Sequence, residues 1–318
     1  LSEQEGRIKD LYTRLRAFGD RQPLTPAACY ELVGVKQPTP AKEQLASLIG
    51  MQSLKDALAQ FDTGDADQAG ALAYLTASRL QPDLPHPKPK EEMIHFLLTG
   101  NPGTGKNTTA HLIGQLFYEM GYLETGHVVE TDRSQLVSNH VGESALWTRQ
   151  KVQEAMGGVL FIDEAYALNG KSENDFGQEA IDTILKAMED HRDDLVVIVA
   201  GYTDLMDKFI HSNPGLESRF NRFLLFEDYS LDELMAIFKM RCGKGYVLSP
   251  EAEPLVRDYI AEESAAGDSF GNARGVRNCF EHILVAQNNR LAAMESVTKD
   301  DLMTIIPDDV LYARGKLD

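Results

Sequence analysis

Very little in these 318 residues could crosslink the chain or carry it through a bilayer. The three cysteines, Cys29, Cys242 and Cys279, are far apart and make no metal or redox spacing. A disulfide scaffold and a cysteine-bound zinc are thereby excluded, and small core residues in a reducing compartment are expected. No apolar run approaches the roughly 20 residues of a membrane helix, and residues 1–20 are polar and charged, without a signal-peptide core. The expected location is cytoplasmic. Cations are scarce, 31 Lys and Arg against 49 Asp and Glu, for a formal charge of −18. Non-specific binding to nucleic acid or to an anionic membrane needs clustered positive charge, so this balance argues against both. No basic stretch with interleaved aromatics rescues a nucleic-acid role. The sequence opens on Leu1 and not on methionine, consistent with a trimmed chain or a piece of a longer polypeptide.

What is present is an ordinary globular balance, 43% hydrophobic and 25% charged, at a length that suggests about two domains. Ile8, Leu11, Leu15 and Phe18 recur at helical spacing and predict an amphipathic helix over residues 3–18, ended by Gly19 and Pro23. A short helical piece at 27–33 follows, and Pro38 and Pro40 close this extension. Residues 43–61 read as helix with a turn at Gly50. The acidic run at 62–67 lacks the spacing of a calcium loop and reads as a solvated turn. A helix through Leu72, Leu75 and Leu80 then gives way to a stiff linker carrying Pro82, Pro85, Pro87 and Pro89.

The chemistry begins at residues 99–109, TGNPGTGKNTT, placed between an apolar run at 94–98 and a helical pattern through Leu112, Ile113, Leu116 and Phe117. Strand, glycine loop and helix in that order make a phosphate loop: backbone N–H groups turn inward around an anion and the helix N-terminus adds its dipole. Pro102, Gly103, Thr104 and Gly105 form the cradle, and Lys106 reaches the outer phosphates. The motif asks next for Ser or Thr, whose hydroxyl ligates Mg²⁺, and here stand Asn107 and then Thr108. The amide of Asn107 is one atom longer than that hydroxyl.

About 60 residues on, residues 157–164 read as a buried strand that ends in two carboxylates. Asp163 suits the metal and Glu164 suits orienting and polarising the attacking water. A helix over 177–188 and a strand over 195–200 continue the alternation, which implies a parallel sheet covered on both faces with its ligand at the carboxyl ends of the strands. Residues 132–137 read as a short helix and 138–144 as a polar loop. From Ser230 capping signals and helical patterns predict four helices with no strand between them.

The segments GNPGTGK, GGVLFIDEAYAL, FGQEAIDTILKAMED, RDDLVVIVAGY, SNPGLESRF and FGNARGVRN resemble those of the CbbX/CfxQ/SpoVK family of AAA+ ATPases. The resemblance runs from about residue 45 to the C-terminus. It implies an α/β P-loop NTPase core with a parallel sheet over residues 45–228 and a C-terminal helical lid over 229–318; residues 1–44 lie outside it and are the N-terminal helical extension expected from the apolar spacing. It also implies ATP and Mg²⁺ as cofactors, and a homo-oligomeric ring, a hexamer, that remodels a client protein. Carried onto matching positions, it makes Arg219 the arginine finger, with Arg222 as rival, and Arg274 the lid arginine, with Arg277 as rival. Thr203 would be the γ-phosphate sensor. Ile49 and Gly50 match the adenine-side contact, and His140, Val141 and Gly142 match the central-pore loop, a histidine standing where the family carries a larger aromatic. The runner-up reading is an ATP-binding regulatory or scaffold module in which Asn107 slows hydrolysis.

Overall fold

The computed structural model describes residues 39–51, 54–56 and 94–316, apart from 121, 139, 141, 171–174, 244, 266 and 268–269. The helix expected over 3–18, the acidic turn, the proline linker and Val141 of the expected pore loop lie outside the described residues.

The first described helix, α1 (Ala41–Ser47), ends at a turn where Gly50 takes φ 65°. Then β1 (Phe96–Gly100) runs into the phosphate loop and α2 (Lys106–Glu119). β2 (Val128–Thr131) is followed by α3 (Arg133–Leu136) and α4 (Glu143–Ala155), and β3 (Val159–Ile162) by a 3-10 turn and α5 (Gly177–Asp190). β4 (Val196–Gly201), α6 (Thr203–His211), α7 (Pro214–Arg219) and β5 (Arg222–Phe226) complete the core.

The five strands are parallel in the order β2-β3-β4-β1-β5. Period-two alternation sorts their side chains onto two apolar layers. Leu97, Leu160, Ile162, Val197 and Val199 face α5 and α6, while Phe96, Leu98, Phe161, Ile198 and Ala200 face α2. β1, an interior strand paired with β4 on one side and β5 on the other, thus delivers the phosphate loop from within the sheet.

The sequence pattern announces no helix at α4, of which only the first residues fall in the polar loop expected over 138–144, because it has no apolar stripe. Its buried positions are Ser144, Thr148, Val152 and Ala155, spaced by four and three. The two hydroxyls bond backbone: Thr148 donates to the Leu136 carbonyl at 3.1 Å and Ser144 accepts from the Ser138 N–H at 3.0 Å. Helical burial is met here by small polar groups that satisfy a loop.

The lid comprises α8 (Leu231–Cys242), β6 (Val247–Leu248), α9 (Ala252–Ala265), α10 (Ala273–Ala292), α11 (Lys299–Met303), β7 (Thr304–Ile305) and α12 (Pro307–Ala313). Leu234, Phe238, Val256, Ile260, Phe280 and Ile283 form its separate core. The expectation of helices alone is corrected: β6 and β7 pair in parallel, Val247 with Thr304 and Leu248 with Ile305. Two-residue strands are too short to show alternation, which is why the sequence pattern hid them.

Candidate nucleotide site

The phosphate loop closes on itself before any ligand is added. Gly103 and Gly105 take φ of 73° and 98°, and a Cβ on Gly103 would stand 2.1 Å from the carbonyl oxygen of Gly271. Only glycine fits where the lid comes this close. Thr104, almost fully buried, donates to the Asn101 carbonyl at 2.8 Å. Lys106 opens α2 and gives its ammonium to the carbonyls of Gly100 and Asn101, both at 2.8 Å. Burial pulls its pKa below the usual lysine range; Asp163 pulls it back up and Arg274 pushes it further down. The cation therefore rests on neutral carbonyls inside the turn.

Opposite it, Asp163 follows β3 and accepts from the Glu164 N–H at 3.0 Å. Glu164 sits at φ 48°, ψ 42°, a left-handed conformation that non-glycine residues seldom adopt and that costs of order 1 kcal/mol or more. Burial first, and the Glu164 carboxylate second, push the Tyr166 phenol up to about 12. Asn107 turns its amide nitrogen to Glu130 Oε2 at 2.9 Å, and His111 meets the other oxygen of that carboxylate at 2.7 Å.

The lid supplies the third wall. Asn272, at φ 53° and mostly buried, gives its amide nitrogen to Asp228 at 2.8 Å and to the Pro102 carbonyl at 3.3 Å, and accepts from the Tyr229 N–H at 3.0 Å. Asp228 also accepts from Asn101 at 3.0 Å, the Ala273 N–H donates to the Gly103 carbonyl at 3.2 Å, and Tyr229 donates to the Thr104 carbonyl at 3.2 Å. Two segments some 170 residues apart are clasped together. Burial, followed by Glu233, raises the Tyr229 hydroxyl to about 12, so it stays a donor.

Between these walls lies a cavity of about 620 Å³. Pro102, Gly103, Gly105, Lys106, Asn107 and Thr108 line its loop side, Asp163 and Glu164 its acidic side, and Arg274 and Arg277 its lid side. Ile49 and Met51 stand on the α1 side. Arg277 faces Glu281 at 3.5 Å, whereas Arg274 has no ion pair among the described residues. The contents suit a nucleotide and Mg²⁺: two cations, Lys106 and Arg274, await an anion, and the carboxylate of Asp163 and the amide of Asn107 are hard oxygen donors.

Other expected residues fall elsewhere. Thr203 opens α6 and is exposed but does not line the cavity; its neighbours Gly201 and Tyr202 do. Gly50 lies behind the wall, where a Cβ would meet Glu233 Oε1 at 2.5 Å. Thr104 holds the loop's shape from beneath. Arg219 and Arg222 are at the far end of the sheet, since Arg222 is in register with Phe96, the first residue of β1, and the phosphate loop follows the last. Arg219 bonds the Gly215 carbonyl at 3.3 Å and Glu189 at 3.5 Å. His140 and Gly142 lie exposed in the loop before α4, with Gly142 at φ 81°. Sequence reasoning missed Glu130, Tyr202, Tyr229, Asp228 and Asn272. Only Asn272, beside the lid arginine motif, carried a signal that could have found it.

A sheet in the order β2-β3-β4-β1-β5, a phosphate loop after β1, two acids after β3 and an arginine-bearing helical lid define the AAA+ class of P-loop ATPases. Residues 96–228 match the family described as ATPase family associated with various cellular activities (AAA), and residues 230–317 match the AAA lid domain. Stage V sporulation protein K of Bacillus subtilis (strain 168) is 40% identical over 272 residues, 85% of this chain and 81% of that protein. The chloroplastic ribulose bisphosphate carboxylase/oxygenase activase of Cyanidioschyzon merolae is 40% identical, with 84% and 88% covered. Protein CbbX of Cereibacter sphaeroides is 39% identical, with 90% and 89% covered. Among solved structures, a RuvB mutant of Thermotoga maritima superposes with a TM-score of 0.52 at 19% identity, covering 85% of this chain and 71% of that one. The FIGL-1 AAA domain in complex with ADP gives 0.51 at 18%, covering 86% and 84%, and both share the fold. The chain belongs to the AAA+ ATPases, in the CbbX/CfxQ/SpoVK family.

Proposed function

We propose that this chain is an ATP-dependent protein-remodelling motor that works as a ring of identical subunits, a hexamer, on a partner protein. One observation carries the reading: Lys106 and Arg274 face one cavity, neither with a carboxylate partner among the described residues, across from Asp163 and Glu164. The proposed roles follow from position. The loop from Pro102 to Gly105 and Lys106 hold the β- and γ-phosphates, Ile49 flanks the adenine with Gly50 turning the chain behind it, and Asn107 or Thr108 joins Asp163 at the metal. Mg²⁺, when bound, neutralises charge on the phosphates. Glu164 orients the attacking water and accepts its proton as the bond to the leaving diphosphate oxygen breaks. Arg274, with Arg277 a turn along, couples the lid to the γ-phosphate.

The strand-end sensor passes from Thr203 to Tyr202, which reaches the cavity. Residues 45–228 form the nucleotide-binding unit and 229–318 the lid. Lid rotation would move the loop of His140, Val141 and Gly142, exposed where described. The chloroplastic relative is named as an activase of another enzyme, which supports a protein client of this kind.

Steady-state ATP hydrolysis with Mg²⁺ tests the reading. Turnover by the native chain, falling about 100-fold or more in Glu164→Gln, is the expected result. Nucleotide binding without turnover, restored by Asn107→Thr, would make the chain instead a module whose bound nucleotide controls assembly. The Asn107–Glu130 hydrogen bond is the observation that keeps this second reading in view.

A further inference from the structure

Asn107 and His111 lie one turn apart on α2, and both turn toward Glu130 on the neighbouring β2. The distances are 2.9 Å from Asn107 Nδ2 to Oε2 and 2.7 Å from His111 Nε2 to Oε1. A carboxylate only accepts, so both partners must donate to it. This fixes the amide: its NH₂ group points at Glu130, and no bond to its carbonyl oxygen exists among the described residues. Asn107 lines the cavity and Glu130 does not, so whatever Glu130 does there it does through Asn107.

The orientation matters because of what residue 107 replaces. A hydroxyl presents an oxygen to a cation in any rotamer, whereas an amide has two unlike ends. Turned one way it offers an oxygen to Mg²⁺; turned the other way it offers two N–H dipoles that repel the ion. We infer that Glu130 is a positioning residue that holds the carbonyl oxygen of Asn107 toward the metal side of the nucleotide site, with His111 holding Glu130. The His111–Glu130 pair is about half exposed, at 53% and 47%, so its contribution to folding is small and orientation is the role left to it. The inference rests on the proposed ATP site and names the device that lets an asparagine stand there.

Binding of a fluorescent ATP analogue, titrated with Mg²⁺ and repeated in EDTA, tests it in the native chain, Glu130→Ala, Asn107→Thr and the double variant. Glu130→Ala should raise the Mg²⁺ midpoint about tenfold, the scale found when a metal ligand loses its orienting partner. Metal-free binding and thermal midpoint should not change. In the Asn107→Thr background the same Glu130→Ala change should shift nothing, since a hydroxyl needs no orienting. An equal shift in both backgrounds would show a simple charge effect and overturn the inference, as would no shift beside Asn107. A native chain that binds the analogue with a Mg²⁺ midpoint indifferent to Glu130 overturns this inference alone; one that binds no analogue overturns the ATP site with it.

Discussion

His95, just before β1, is completely buried, and its Nδ1 accepts from the Val197 N–H at 3.0 Å. The neutral ring therefore carries its proton on Nε2, which has no hydrogen-bond partner among the described residues, and the ring packs edge-on against Phe220. Burial, then the charge of Arg219, lowers its pKa to about 4. Because the folded value lies below the unfolded value of about 6.5, the unfolded chain binds the extra proton and acid favours unfolding. Stability from this residue is complete above about pH 6.5 and is lost as the pH falls toward 4, a total of about 3 kcal/mol. Chemical denaturation between pH 4 and 7 should show that slope in the native chain and a flatter one in His95→Gln; identical slopes would remove His95 from the account. Lys106, Asp163 and Glu164 belong to this scale as well. Their types and spacing follow from the chemistry of phosphate and metal, and so they were legible without a structure.

At the scale of elements, the joint between core and lid was not legible. Asn101, Asp228 and Asn272 are ordinary polar residues in the sequence, and their meaning comes from the register that brings β5's exit beside the phosphate loop. Asn272→Ala removes three hydrogen bonds of this clasp while leaving Arg274 in place. Nucleotide release followed by stopped flow should accelerate about tenfold, the worth of roughly one charge-assisted bond; an unchanged rate would mean the lid is held by packing alone. Within the lid, Arg290 pairs with Asp309 at 2.7 Å and 3.1 Å, the aspartate being 2% exposed. Arg290→Met strands that carboxylate and should cost about 3 kcal/mol, read as a lower thermal midpoint for the lid. The sequence announced α8 and α11 through their capping boxes and α5 through its stripe, because those signals are local. It hid α4, β6 and β7, whose stability is tertiary.

For the whole molecule, the decisive geometry is the length of the sheet. Arg219 lies before β5 and the phosphate loop lies after β1, so about 16 Å of strand separates them. An arginine there cannot complete its own subunit's site, but it can complete a neighbour's when subunits meet head to tail, the arrangement that closes into a ring. In the single chain Arg219 is half-buried and rests on the Gly215 carbonyl and the carboxylate of Glu189. Mixing two inactive variants tests this most directly. Glu164→Gln keeps its arginine and Arg219→Ala keeps its catalytic carboxylate, and each alone should hydrolyse ATP at a small fraction of the native rate. Mixed in equal amounts, about a quarter of head-to-tail interfaces pair an intact acid with an intact arginine, and hydrolysis should recover toward that fraction. No recovery in mixtures that assemble, or full activity of Arg219→Ala alone, would contradict a site shared between subunits.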